Sequence, residues 1–142
     1  MYKPDEGYLP EIPGGILSLR TRYNEYHPML IDLRKEENSI VITIKGRMDA
    51  VCAPDLERLL DEKLKEDEHF FIFDFSDLEY ISSAGLQCIL AAAKTLEGRR
   101  GGIALTSLRG TVKEVFEISG FDTLFPIYDS VTEAILRQKS HE

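Results

Sequence analysis

The sequence predicts a single α/β domain built on a mixed, mostly parallel β-sheet. Between residues 29 and 142, short apolar segments of strand length alternate with amphipathic segments of helical length, in the order β-β-α-β-α-β-α-β-α. Such alternation is typical of parallel strands joined by crossover helices, whereas a polar turn between the first two strands predicts an antiparallel hairpin. A chain of 142 residues is long enough to bury a substantial core.

The hairpin and the first helix follow from local patterns. Residues 30–34 and 39–45 are predicted strands on either side of the turn at 36–38, and the second strand has apolar residues on both faces. The connection 46–49 then leads into a helix with Pro54 in its first turn. The leucines expected to face the core fall at helical spacing: Leu56, Leu59, Leu60 and Leu64.

The next unit is a central strand followed by a helix. Residues 69–75 are almost wholly apolar, as expected for a central strand, and a short polar connection follows them. Ser82 and Ser83 stand at the start of the helix, which Gly98 can end. The predicted buried stripe of this helix consists of Leu86, Ile89, Leu90 and Ala93.

The last third of the chain predicts two more strand–helix pairs. Residues 102–105 form a strand and 111–119 a helix that stops at Gly120, with Val112, Val115 and Phe116 turned inward. Residues 125–128 form a short final strand. The sequence Ser130-Val-Thr-Glu133 is a capping box that opens the last helix, in which Ile135 faces the core.

Residues 1–28 are predicted to be an N-terminal extension to the domain at 29–142. Prolines and a glycine pair interrupt the extension, while its tyrosines and leucines supply apolar surface that can pack on the core. We expect residues 1–13 to be irregular and 16–26 to contain a strand or a short helix. The extension could cover an exposed sheet edge or support self-association as a homodimer.

Composition excludes several classes of function. The formal net charge of −8, without a dense lysine or arginine stripe, argues against direct nucleic-acid binding. Apolar runs are too short to span a bilayer, and the first residues lack the apolar core of a signal peptide. Cys52 and Cys88 form no disulfide framework, so we expect both to be buried and reduced in a cytoplasmic protein.

Catalytic, cofactor and metal sites are not predicted. The sequence around Ser82 and Ser83 lacks the first glycine of a G-x-S-x-G elbow, and no histidine lies where a triad base would be expected. The histidines also lack metal-ligand spacing. Neither a P-loop nor a G-x-G-x-x-G fingerprint occurs, and Asp49, Asp74 and Asp77 do not follow the pattern of a magnesium-dependent phospho-acceptor pocket.

The serine pair allows two interpretations. A serine hydroxyl at a helix start accepts a backbone N–H as an N-cap, which is a purely structural role. If the serine were phosphorylated, the helix N-terminus would stabilise the added negative charge. The same residue could therefore be a phosphorylation site that regulates binding at the surface. The residues by themselves leave both interpretations open.

Three segments resemble the STAS domain family. They are residues 41–60, with V-I-T-I-K-G-R-M-D, residues 71–90, with D-F-S-D-L-E-Y-I-S-S-A-G-L, and residues 110–128, with E-I-S-G-F-D-T-L-F-P-I-Y. The resemblance covers about residues 29–138 with its motifs in the expected order. It implies a STAS-like fold with helices packed mainly on one face of the sheet.

Within this family the chain is similar to stand-alone anti-sigma factor antagonists, whose phospho-acceptor motif is commonly Asp-Ser-Ser/Thr-Gly-Leu. Alignment on Gly85-Leu86 places the phosphorylated serine on Ser83, with Ser82 where the family has aspartate and Ala84 where it has a second hydroxyl residue. Asp49 matches an acidic residue near the acceptor loop, and Asp74 matches the aspartate that ends the central strand. The partner-binding residues that the resemblance implies are Asp49, Ser82, Ser83, Ala84, Gly85 and Gln87.

The resemblance implies partner switching rather than catalysis. An unphosphorylated antagonist of this family binds an anti-sigma factor, itself a serine kinase, and so releases the sigma factor. Phosphorylation dissociates the pair, and a PP2C-type phosphatase restores the antagonist. Two alternatives remain: a constitutive STAS scaffold or accessory subunit of a signalling or transport complex, and a small-ligand binder with a cleft near Ser83.

Overall fold

The computed structural model describes residues 18–20 and 29–139. In these residues the strands are β1 (Ser18–Arg20), β2 (Met29–Glu36), β3 (Ser39–Met48), β4 (Phe70–Asp74), β5 (Leu78–Ile81), β6 (Gly102–Thr106) and β7 (Ile127–Tyr128). The helices are α1 (Ala53–Lys65), α2 (Ser83–Glu97), α3 (Gly110–Ser119) and α4 (Val131–Lys139), and a 3-10 turn at Phe121–Thr123 follows α3.

All of these strands belong to one sheet, in which β1, β2, β3, β4, β6 and β7 lie side by side in that order. β1 and β2, and β2 and β3, pair antiparallel, while β3–β4, β4–β6 and β6–β7 pair parallel. β5 lies off this path and pairs parallel with the end of β3. The predicted mixed, mostly parallel sheet that begins with a hairpin is therefore confirmed.

The two faces of the sheet are covered unequally. Phe71 and Phe73 of β4 point into the larger core, which also contains the buried side chains of α1, α2 and α3. Ile72, between them, points to the opposite face and packs with Val41, Ala104 and Ala134, the last from α4. One face thus carries three helices and the other carries α4, which agrees with the expected packing mainly on one face.

Local signals at the element ends act as predicted. Pro54 lies in the first turn of α1, and Gly120 ends α3 with a left-handed φ of +79°. The N–H of Glu133 donates to Ser130 Oγ over 3.1 Å at the start of α4. The Ser130 contact is one of the two hydrogen bonds of the predicted capping box, and it satisfies a helix-end N–H that has no partner inside the helix.

The strand β5 was not predicted, because its sequence was interpreted as a polar connection. β3 extends past its last pairing with β4, which joins Thr43 to Asp74, and the residues beyond would lack a parallel neighbour. β5 supplies that neighbour by pairing with Gly46–Met48, with a register shift between Gly46 and Arg47. A strand of four residues that forms through such non-local pairing has only a weak hydrophobic pattern in its sequence.

The buried face of α2 differs from the predicted stripe. Leu86 and Ile89 are buried as expected, but Leu90 and Ala93 are only half-buried. The fully buried set is Gly85, Leu86, Ile89, Ala92 and Leu96. Gly85 belongs to this set because α2 approaches Met48 and Ile81 too closely there for a side chain.

Two smaller predictions are also corrected. The last strand covers only Ile127–Tyr128, because Pro126 has no N–H and contributes only its carbonyl, which accepts the N–H of Leu105 over 2.9 Å. Cys52 is buried, but Cys88 is half-buried. Both cysteines are free thiols.

The predicted extension lies mostly outside the described residues. Of residues 1–28, the structure describes Ser18–Arg20, which pair with Asp32–Arg34 of β2. The boundary at residue 28 and the homodimer stay predictions. Within residues 18–20 and 29–139, no helix is long and apolar enough to cross a membrane.

Candidate functional site

The candidate site lies where β3 and β5 end side by side. Met48 and Ile81 are paired across the two strands, and the N–H of Ser82 donates to the Met48 carbonyl over 2.8 Å. The chain that follows β3 enters α1 and the chain that follows β5 enters α2. The starts of these two helices are thereby brought together at one edge of the sheet.

The two serines have different structural roles. Ser82 has extended backbone angles and is the N-cap of α2: its Oγ accepts the N–H of Gly85 over 3.2 Å and its carbonyl accepts the N–H of Leu86 over 3.0 Å. Ser83 is the first helical residue and its side chain is exposed. Among the residues that the structure describes, nothing is hydrogen-bonded to the Ser83 hydroxyl. The cap therefore uses one hydroxyl and leaves the other accessible.

This division predicts a difference in stability between two alanine variants. Ser82→Ala should lower the free energy of unfolding by about 1 kcal/mol, because it removes the N-cap. Ser83→Ala should change it by less than about 0.5 kcal/mol, as is usual for an exposed position. Urea denaturation followed by circular dichroism measures both values. Ser82→Asp is the matched control, since aspartate caps helices as well as serine does; equal losses in both alanine variants would contradict the assignment of the cap.

Asp49 shapes the loop between β3 and α1. One oxygen of its carboxylate accepts the N–H groups of Val51 and Cys52 over 3.0 and 2.9 Å, and its main-chain carbonyl accepts those of Cys52 and Ala53. The carboxylate thus occupies the start of α1, where a negative charge is favourable. Asp49 is half-buried.

Hydrogen bonds keep the Asp49 carboxylate ionised, whereas burial is the main reason that the Cys52 thiol stays neutral. Burial opposes ionisation of Asp49, but the N–H groups of Cys52 and Val51 and the charge of Arg47 outweigh it and lower the pKa. Burial, with Asp49 close by, raises the pKa of Cys52 to about 12. At neutral pH the loop therefore carries one fixed negative charge and no thiolate nucleophile.

Of the other predicted binding residues, Gln87 is exposed, Ala84 is half-buried and Gly85 is buried. A Cβ atom at Gly85 would lie 2.5 Å from Met48 Sδ and 3.0 Å from Ile81 Cγ1. The glycine therefore allows α2 to approach the strands closely. Its contribution to the site is to position the exposed start of the helix.

Two features of the site were not found from the sequence. Val51 is 65% exposed, an apolar side chain on the loop beside α2. An open groove of about 520 Å³ also runs between α1 and α2, from Ala50 and Ala84 at one end to Leu64 and Thr95 at the other; we call it the α1–α2 groove. The sequence contains no local signal for either feature, because Ala50, Val51 and Cys52 are all apolar and the groove depends on helix packing.

The structure offers no metal site among its described residues, since no three histidine, cysteine or acidic side chains cluster there. Asp74 Oδ1 accepts the N–H of Ser76 over 3.0 Å in a local turn. Asp77 instead faces Lys45 and Arg109, at 3.9 and 3.8 Å.

Comparison with known proteins matches residues 31–134 to the STAS domain model. A Bordetella bronchiseptica protein that carries the name anti-sigma factor antagonist BtrV is 35% identical over 102 residues, which cover 72% of this chain and 88% of that protein. The anti-sigma-B factor antagonist of Bacillus subtilis is 26% identical over 97 residues, covering 68% of this chain and 88% of the relative.

Among solved structures, the anti-sigma factor antagonist SpoIIAA in its unphosphorylated form superimposes with a TM-score of 0.70. The sequences are 22% identical, and the match covers 78% of this chain and 96% of that one. SpoIIAA, from Bacillus, has also been solved in a phosphorylated form. At this identity the similarity demonstrates a shared fold.

Proposed function

The chain belongs to the STAS domain family, and from this premise we propose that it acts as an anti-sigma factor antagonist controlled by phosphorylation of Ser83. The observation that carries the proposal is that the two serines have different structural roles. Ser82 holds the helix start, while Ser83 presents an exposed hydroxyl beside it. A kinase can therefore modify Ser83 without removing the cap.

The physical consequence of phosphorylation would be local. A phosphate adds a charge of about −1.5 to −2 at neutral pH. At the first position of α2 the free backbone N–H groups and the helix dipole tolerate that charge, so the fold is retained. Placed in a docked surface next to the Asp49 carboxylate, the same group would add bulk and the cost of burying a second negative charge.

The partners follow from the same proposal. The unphosphorylated protein binds an anti-sigma factor and so frees a sigma factor, which places it in the cytoplasm as a binding protein rather than an enzyme. The anti-sigma factor is itself the serine kinase that modifies Ser83, and a PP2C-type phosphatase reverses the modification. BtrV and the anti-sigma-B factor antagonist, through the names they carry, support the class of partner.

Co-purification with phosphosite mapping tests this proposal. The full chain, tagged and expressed in its native cell, should recover a serine kinase when Ser83 is unmodified. Mass spectrometry should find phosphate on Ser83 and not on Ser82, because the Ser82 hydroxyl is engaged in the cap. Phosphate on Ser82, or a kinase that binds the phosphorylated form equally well, would contradict the proposal.

A constitutive STAS scaffold is the second candidate, and one observation favours it. Ser82 stands where related antagonists commonly carry aspartate, so an acidic neighbour of the acceptor is missing. Ser82→Asp restores that carboxylate while keeping an N-cap. If neither the natural chain nor this variant is phosphorylated by the recovered kinase, the scaffold is the better description.

A further inference from the structure

The α1–α2 groove is an open surface that continues directly from the start of α2. Ala84 and Gln87 line its upper end, and they follow Ser83 in the first turn of α2. The groove follows α1 from Ala53 to Leu64 and α2 from Ala84 to Thr95, a length of about 16 Å at 1.5 Å per residue. That is the length of about three helical turns.

Small side chains leave the groove open on the α2 side. Ala84, Cys88 and Ala91 line it, and opposite them lie Ala53 and Leu60 of α1. Cys88 Sγ lies 3.6 Å from the carbonyl of Ala53, so the two helices are in contact at the floor. An apolar groove of this shape accepts the apolar face of an amphipathic helix.

The rim of the groove is acidic. Glu57 and Asp61 of α1 are exposed and line the groove, and Glu57 Oε2 lies 3.9 Å from Cys88 Sγ. Burial is the main cause that raises the pKa of the Cys88 thiol, and the negative charges of Glu57 and Asp61 raise it further.

In the part of the chain that the structure describes, Glu57 and Asp61 are not ion-paired, although Arg58 and Lys65 of α1 lie near them. The neighbouring Asp55 pairs with Arg58 over 2.7 Å. Like charges spaced four residues apart on a helix repel one another. A cation placed between Glu57 and Asp61 would relieve that repulsion.

From this groove we propose that the anti-sigma partner docks an amphipathic helix of about three turns between α1 and α2, with a lysine or arginine held by Glu57 and Asp61. The inference rests on the proposed function and names the surface and the chemistry of the partner. A second copy of this chain fits less well, because a formal net charge of −8 on each copy opposes association at an acidic rim. Docking here would place the partner against Ser83, where a phosphate can interfere.

Photo-crosslinking locates the docked segment. Ala91→benzoylphenylalanine in the full chain, expressed in the native cell, should crosslink to an apolar helical segment of the anti-sigma partner that carries lysine or arginine. The same substitution at Glu114, exposed on α3, is the control and should not crosslink to that segment. No crosslink through Ala91, or a crosslink to a second copy of this chain, overturns the inference.

Charge reversal then measures the role of the rim, with the purified anti-sigma partner as the probe in calorimetry. The double variant Glu57→Lys/Asp61→Lys should weaken binding about tenfold or more, an effect that falls at high salt. The matched control, Glu114→Lys/Glu117→Lys, makes the same change of charge on α3 and should bind within about twofold of the natural chain. Equal affinities of the two double variants would overturn the inference.

The binding of two variants, Ser83→Asp and the double variant of the groove, distinguishes a failure of this inference from a failure of the proposed function. If Ser83→Asp weakens binding but the groove variant binds normally, the groove is excluded and the switch stands. If the groove variant binds weakly while Ser83→Asp binds normally, the docking surface stands and the switch at Ser83 is excluded.

Discussion

Replacing Gly101 by alanine is expected to destabilise this protein strongly. A Cβ atom at Gly101 would lie 2.0 Å from the His69 carbonyl oxygen and 2.9 Å from its carbonyl carbon. These are backbone atoms that lead into β4, the central strand. They cannot rotate away as the tip of a flexible side chain could.

The expected loss follows from where this contact lies. The His69 carbonyl accepts the N–H of Gly102 over 3.0 Å, and this bond leads into the pairing of β4 with β6. Moving His69 would therefore disturb the middle of the sheet. We expect the free energy of unfolding to fall by about 3 kcal/mol or more, out of the roughly 5–15 kcal/mol typical of a domain.

The adjacent glycine is the matched control. A Cβ atom at Gly102 would meet nothing within 4 Å, so Gly102→Ala should be neutral or slightly stabilising. Urea denaturation of both variants measures the difference. A Gly101→Ala protein as stable as the Gly102→Ala protein would show that the connection between α2 and β6 packs differently.

The second large effect is expected in binding. Ser83→Asp should weaken the complex with the anti-sigma kinase about tenfold or more, because it places a carboxylate on the exposed first residue of α2, where the partner is proposed to dock. Its stability should stay close to that of the natural chain, since a negative charge at a helix N-terminus is favourable. Calorimetry measures the affinity and thermal unfolding measures the stability.

Two further variants separate charge from size at this position. Ser83→Asn has nearly the volume of aspartate without its charge and should keep most of the affinity. Ser83→Ala removes only the hydroxyl and should bind well but resist phosphorylation. If Ser83→Asp binds the kinase as tightly as the natural chain, phosphorylation of Ser83 does not control binding.

Much of the fold could be predicted because its signals are local. Continuous apolar strands and helices with leucines at helical spacing establish the alternation of elements, and Pro54, Gly120 and Ser130 mark helix ends that the structure reproduces. β5 was not predicted, because its four residues form a strand only through their pairing with the end of β3. The buried face of α2 was predicted only in part, because it includes Gly85, which has no apolar side chain to indicate burial and lies against Met48 and Ile81.

The candidate site was predictable in part. The register of the STAS resemblance places the acceptor at Ser83, and the structure shows that this hydroxyl is exposed. The same reasoning included Gly85 among the binding residues, but the structure buries it against Met48 and Ile81. Val51 and the α1–α2 groove were absent from the prediction, because both depend on how distant segments pack.

The sequence by itself determined the order of strands and helices, the acidic charge and a pair of serines at a helix start, since each is a property of neighbouring residues. Only the tertiary structure decided which serine caps α2 and which remains accessible. That decision depends on the bond from the Ser82 N–H to Met48, which holds the end of β5 against β3. The geometry of such a bond between distant parts of the chain is established by packing, not by local pattern.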